Sequence, residues 1–148
     1  MFTRLLMVCT ANICRSPLAE GLFRERLKEK NVQVTSAGVM ALVGKPAVME
    51  SQEVARAKGF DISSHRAQQL TNDLVSENDL ILVMEDWQKK EVAKMFPQAR
   101  GKVFLLGRWR DFEIVDPYLQ SMNAFEHVFE LIDESFQDWN QKVWKVPL

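Results

Sequence analysis

The strongest constraint in this 148-residue chain is the run Leu5-Leu6-Met7-Val8-Cys9-Thr10-Ala11-Asn12-Ile13-Cys14-Arg15-Ser16-Pro17. The apolar segment Leu5 to Val8 suits a strand buried on both faces of a parallel sheet. A short loop follows. Ser16-Pro17 then reads as a helix start, with Ser16 as N-cap and Pro17 at the first helical position, where a missing N–H costs nothing. Backbone N–H groups of a tight loop at a helix N-terminus form a concave anion site, and the helix dipole reinforces it. The loop opens on Cys9 and closes on Arg15, a Cys-x5-Arg spacing. A thiol held in that field gives up its proton readily, and a guanidinium at the far end can fork onto two phosphate oxygens. Nucleophile, anion cradle (Thr10, Ala11, Asn12, Ile13, Cys14, Arg15) and clamp therefore share one loop, an arrangement for phosphate transfer without metal or other cofactor. The plainer reading is a small buried thiol after a strand, beside a surface arginine. The order strand, loop, Ser, Pro favours the chemistry.

The remaining chain alternates strands and helices. A helix is expected over Pro17 to Lys30, with Leu18, Leu22, Phe23 and Leu27 inward. Val32 to Thr35 alternates as an edge strand and ends at Ser36-Ala37-Gly38. Val39 to Lys45 is a loop carrying exposed apolar residues, Met40, Leu42 and Val43. Pro46 opens a second helix that stops at Gly59, and a short helical turn follows Thr71. Leu80 to Met84 is the clearest central strand, Glu85 to Phe96 a helix ended by Pro97, and Val103 to Leu106 the fourth strand. Asn123 to Trp144 forms the last helix, with Phe125, Val128, Phe129, Ile132, Phe136, Trp139 and Val143 in one stripe. This order implies an α/β fold, a four-stranded parallel sheet with helices on both faces. Ligands bind beyond the carboxyl ends of such strands, so loops after strands one and four meet at one edge.

Length fits one domain, residues 1–148. A net charge of −1 gives no support for a nucleic-acid or membrane-surface partner. Cys9 and Cys14 share a loop, so a bond between them would staple almost nothing, and a reducing compartment is the natural home. The N-terminal apolar run is too short for a signal segment or a membrane span. The expectation is a cytoplasmic protein.

Val8 to Pro17, with Ser36-Ala37-Gly38, His65-Arg66-Ala67 and Asp116-Pro117-Tyr118, resembles the low-molecular-weight protein tyrosine phosphatases, most closely their bacterial, exopolysaccharide-associated branch. The resemblance covers essentially the whole chain and implies the Rossmann-like phosphatase fold. It also implies hydrolysis of phosphotyrosine through a phosphocysteine, with inorganic phosphate as product. Cys9 would be nucleophile, Arg15 the phosphate clamp and Asp116 the general acid and base, since the family carries that acid in a late Asp-Pro pair. Pro117 also biases Asp116 towards extended backbone. On composition alone Asp86 and Asp111 are rivals, and Asp116 also reads as a plain turn residue.

The resemblance further implies that Ser16 donates to the thiolate and that Asn12, Ser36 and His65 brace the loop. Leu42, Val43 and Tyr118 would flank the substrate ring, and Trp109 lies near the entrance or simply packs. Cys14 would pair reversibly with Cys9 under oxidation. A tyrosine autokinase of polysaccharide export is the implied partner. Two other readings are arsenate reduction, which typically needs later cysteines that this chain lacks, and a phosphotyrosine-binding module, which would have no use for the acid. Neither His65 nor His127 belongs to a ligand cluster, so no metal site is expected.

Overall fold

The computed structural model describes residues 2–148. Four parallel strands, β1 (Arg4–Cys9), β2 (Gln33–Gly38), β3 (Leu80–Val83) and β4 (Val103–Leu105), lie in the order β2-β1-β3-β4. The helices are α1 (Arg15–Arg26), α2 (Met49–Ala57), α3 (Asn72–Glu77), α4 (Asp86–Met95) and α5 (Met122–Lys142).

Side chains of a strand alternate between faces, and both faces here are covered. Leu5, Met7, Leu80 and Leu82 pack with α1, α2 and α5 residues such as Phe23, Val54, Phe129 and Phe136. Leu6, Val8, Ile81 and Val83 pack on the other side with Val75 of α3 and Val92 of α4. This two-sided burial is why β1 and β3 read as continuous apolar runs rather than alternating ones.

Several boundaries differ from the sequence reading. Helix α1 begins at Arg15, so Pro17 is its third residue rather than its first, and the cap position falls on Cys14 with no side-chain cap bond. Pro17 is tolerated there because first-turn N–H groups have no intrahelical acceptor. Ser16 is not the N-cap; its hydroxyl is engaged elsewhere, as described below. The first helix ends at Arg26, and a 3₁₀ turn, Lys28–Lys30, follows. Strand β2 runs three residues past Thr35, because Ser36, Ala37 and Gly38 pair with Met7, Val8 and Cys9. Helix α2 starts at Met49, not Pro46, because Val48 has non-helical backbone, φ −59° and ψ 152°, where its N–H donates to the Ile13 carbonyl at 2.9 Å. Gly59 does follow its end, at φ +92°. Thr71 caps α3 by accepting from Leu74 N–H.

The strand ends fix the geography. Parallel register places the chain after Cys9, after Val83 and after Leu105 at one edge of the sheet. Ile114 returns to that edge by donating its N–H to the Met84 carbonyl at 2.9 Å.

Candidate active site

The loop between β1 and α1 is held from outside by every carbonyl it owns. Cys9, Thr10, Ala11 and Ile13 carbonyls accept from the N–H groups of Val39, Met40, Leu42 and Val48. The Asn12 carbonyl accepts from His65 Nε2 at 2.7 Å, which requires the proton on that nitrogen, and the Cys14 carbonyl accepts from Ser51 Oγ at 3.1 Å. Among the described residues, none of the backbone N–H groups of Thr10 to Cys14 donates to another residue. With carbonyls fastened outward, the loop presents its N–H groups on the other side, at the N-terminus of α1. That is an anion nest. Gly38 permits the close approach: a Cβ there would sit 2.5 Å from the Thr10 carbonyl oxygen.

Asn12 holds the centre of the turn in left-handed backbone, φ 62°. Its side chain makes three hydrogen bonds. Oδ1 accepts from Gln68 N–H at 2.9 Å, which fixes the amide orientation, and Nδ2 donates to Ser16 Oγ at 2.7 Å and Ser36 Oγ at 3.0 Å. Ser36 in turn donates to the Glu20 carboxylate. Ser16 Oγ lies 2.9 Å from Cys9 Sγ. Because Asn12 donates to that oxygen, the serine proton is free to point at the sulfur. The hydroxyl read as a helix cap thus lies within hydrogen-bond reach of the Cys9 sulfur.

Arg15 is buried, with 2% exposure. Its Nη1 donates to Glu85 Oε2 at 2.6 Å and to the Ile114 carbonyl at 2.8 Å. Nη2 reaches Thr10 Oγ1 at 3.5 Å, and Nε has no partner among the described residues. Nε–H and an Nη2–H form the side-on edge of a guanidinium, the edge that matches two oxygens of a phosphate. The anchored Nη1 leaves that edge for a ligand.

Cys9, Thr10, Ala11, Ile13, Cys14, Arg15, Leu42, Asp116 and Tyr118 line a cavity of about 90 Å³. It is far smaller than the roughly 300–1,000 Å³ of a site that engulfs a whole small molecule, and suits one compact anionic group with its substituent at the mouth. Asp116 stands at the rim in an Asx turn, Oδ1 accepting from Tyr118 N–H at 3.0 Å. A nucleophilic sulfur, an N–H nest, a guanidinium edge and a carboxyl group can together displace a phosphate ester.

The comparisons agree with this geometry. Residues 4–146 match the family model described as low molecular weight phosphotyrosine protein phosphatase. The chain belongs to this enzyme family. A probable low molecular weight protein-tyrosine-phosphatase, EpsP of Ralstonia nicotianae, is 46% identical over 97% of both chains. Among solved structures, Vibrio vulnificus Wzb in complex with benzylphosphonate is 43% identical, with a TM-score of 0.92 over 97% of this chain and 100% of that one. The tyrosine phosphatase Wzb from Escherichia coli K30 in complex with sulphate is 39% identical, with a TM-score of 0.91 over 97% and 99%.

Within this protein-tyrosine-phosphatase, most residues singled out from sequence converge on the cavity or its support. Cys9, Arg15 and Asp116 share the cavity, and Leu42 and Tyr118 form part of its wall. Val43 does not line it and stands 69% exposed. Asn12, Ser16, Ser36 and His65 lie behind the loop. A larger polar cleft of about 270 Å³ opens on that rear side, lined by Glu20, Ser36 and His65 among others but not by Cys9. Trp109 packs edge-on against Trp139, with ring centroids 5.4 Å apart, and is no part of the cavity wall. Asp86 carries an ion pair with Lys90, and neither Asp86 nor Asp111 lines the cavity.

Cys9 and Cys14 are both free thiols. Burial pushes the Cys14 thiol up to about 12, with Cys9 and Asp116 adding in the same direction and Arg15 opposing. Cys14 is therefore a protonated thiol at neutral pH.

Sequence reasoning missed Glu20, Gln68, Glu85, Gln88 and Ile114. One signal was available: Glu85-x-x-Gln88 directly after a strand has the spacing of a capping box, which α4 forms. The Ile114 contribution is a main-chain carbonyl and leaves no trace in the sequence.

No helix among the described residues is long and apolar enough to cross a membrane.

Proposed function

We propose that this phosphatase hydrolyses phosphotyrosine through a phosphocysteine intermediate. The observation that carries the reading is the loop after Cys9, whose carbonyls are all fastened outward while the N–H groups of Thr10 to Cys14 have no acceptor among the described residues. Cys9 Sγ attacks phosphorus in line, forming S–P as the P–O bond to the aryl group breaks. Loop N–H groups and the Nε/Nη2 edge of Arg15 hold the equatorial oxygens, where charge resides in a loose transition state. Ser16 donates to the sulfur as it leaves in the second step. Asp116 gives its proton to the departing phenol oxygen, then takes one from the water that attacks phosphorus, breaks S–P and releases inorganic phosphate.

The ring of the substrate stacks at the mouth between Leu42 and Tyr118, where an aryl phosphate reaches Cys9 and a short seryl phosphate does not. Two solved relatives support an oxyanion subsite: one holds benzylphosphonate, a phenyl-bearing phosphonate, and another sulphate. The physiological substrate that fits the branch resemblance is a tyrosine autokinase of polysaccharide export, met in the cytoplasm.

The test is hydrolysis of p-nitrophenyl phosphate and of phosphotyrosine, phosphoserine and phosphoarginine peptides in EDTA. Acid quench and mass spectrometry are run in parallel. Hydrolysis of the aryl esters with a phosphate mass on the Cys9 peptide supports the reading. Activity that survives Cys9→Ser overturns it.

A further inference from the structure

Arg15 must present one particular edge to the cavity, and the structure holds it there through the first turn of α4. Both hydrogens of Nη1 are taken, one by Glu85 Oε2 at 2.6 Å and one by the Ile114 carbonyl at 2.8 Å. Rotation about the Cδ–Nε bond is thereby fixed. Glu85 is itself held: it is the N-cap of α4, and its side chain accepts from Gln88 N–H in a reciprocal capping box. Gln88 is fully buried. Its Oε1 accepts from Met84 and Glu85 N–H at 3.0 and 2.9 Å, and its Nε2 donates to Thr10 Oγ1 at 3.1 Å. Thr10 opens the nucleophile loop and also receives Arg15 Nη2 at 3.5 Å. One helix cap therefore reaches both ends of the loop, Thr10 through Gln88 and Arg15 through Glu85.

We propose that Glu85 and Gln88 are positioning residues that aim the Nε/Nη2 edge of Arg15 at the phosphoryl group, so that the α4 cap and the oxyanion subsite form one coupled unit. This rests on the phosphatase mechanism above. Simple electrostatics opposes it in sign, which makes it testable. A carboxylate beside an anion site repels the anion, so a Glu85 that acted only by its charge would weaken phosphate binding, and its removal would tighten it. A positioning Glu85 does the reverse. The benefit is also greatest for a trigonal-bipyramidal ligand, because an aimed fork matches equatorial oxygens of the transition state better than a ground-state tetrahedron.

The experiment compares wild type, Glu85→Gln, Glu85→Leu, Gln88→Leu and Val92→Ala. Val92 is a buried residue of α4 that packs on the opposite face of the sheet, so Val92→Ala loosens the helix without touching Arg15. Inhibition constants for inorganic phosphate and vanadate are measured with kcat and KM for p-nitrophenyl phosphate, and Tm is followed throughout. Glu85→Leu is expected to lose on the order of 10–100-fold in kcat/KM, with vanadate inhibition weakened more than phosphate inhibition. Glu85→Gln, which keeps an acceptor for Nη1, is expected to recover most of that loss. Gln88→Leu is expected to follow Glu85→Leu to a smaller extent. Val92→Ala is expected to lower Tm and leave the ratio of the two inhibition constants unchanged.

Tighter phosphate binding in Glu85→Leu and Glu85→Gln overturns the proposal, as does a Val92→Ala variant that shifts the ratio as much as Glu85→Leu does. If wild type binds oxyanions but hydrolyses nothing, the mechanism fails while equilibrium dialysis with phosphate still decides the positioning role. If wild type binds neither anion, both fail.

Discussion

The two loops that meet over the cavity are built in opposite ways. In the nucleophile loop, Cys9 and Asn12 to Arg15 are buried, every carbonyl from Cys9 to Cys14 is bonded outward, and one asparagine side chain makes three hydrogen bonds. The acid loop between β4 and α5 has Val115, Tyr118 and Leu119 exposed at 56%, 46% and 84%. Its site-bearing part is fastened chiefly through Ile114, which bonds Met84 with its N–H and Arg15 with its carbonyl. The difference follows from what each must do. Oxyanion stabilisation depends on donors fixed before the reaction starts. The acid end has to admit a protein-borne side chain, so it lies at the rim.

This contrast predicts graded effects. Cys9→Ser removes the atom that forms the intermediate, and a loss of at least about 10⁴-fold in kcat is expected; retained turnover in EDTA breaks the assignment. Asp116→Asn is expected to cost about 10²–10³-fold in kcat for phenyl phosphate and less for p-nitrophenyl phosphate, whose leaving group needs less protonation. Oxyanion inhibition should persist in that variant, because the nest is untouched. Equal losses with both esters would remove Asp116 as the acid.

Damage to the rigid loop should register in stability as well as rate. Asn12→Ala strips three side-chain bonds from a left-handed turn and is expected to lower unfolding free energy by about 2–4 kcal/mol, read from urea midpoints. At the rim, Tyr118→Ala is expected to raise KM for aryl phosphates by about 3–10-fold and to change stability by less than about 0.5 kcal/mol. A Tyr118→Ala protein as unstable as Asn12→Ala would erase the contrast.

The smallest effect concerns Cys14. Its thiol, ordinarily at 9.0, is raised to about 12 in the folded chain by burial first. Between those values the folded protein keeps a proton that the unfolded chain has released, so stability falls as pH rises through that window and is unaffected below it. The urea midpoint of wild type should therefore decline more steeply above pH 9 than that of Cys14→Ala, and parallel curves would refute the shift.

Much of this was legible along the chain. Two-sided burial wrote itself into Leu5 to Val8 and Leu80 to Val83, and the stripe from Phe125 to Trp139 gave α5. The Cys9-to-Arg15 spacing marked the anion-binding part of the site because thiol, loop N–H groups and guanidinium lie within one loop. Boundaries failed where tertiary bonds competed with local ones. Ser16 has good N-cap chemistry, yet Cys9 and Asn12 claim its hydroxyl. Pro46 can start a helix, yet Val48, held to the Ile13 carbonyl, has non-helical backbone with ψ 152°.

The sequence by itself determined which segments become strands and helices and put Cys9 and Arg15 in one loop, because periodicity and short spacing are local properties, whereas Asp116 was marked only by the family resemblance. Only the tertiary structure decided how Arg15 faces. Its partners Glu85 and Ile114 lie 70 and 99 residues away, and no local pattern encodes which distant acceptors will meet a buried guanidinium whose charge and hydrogens must be satisfied.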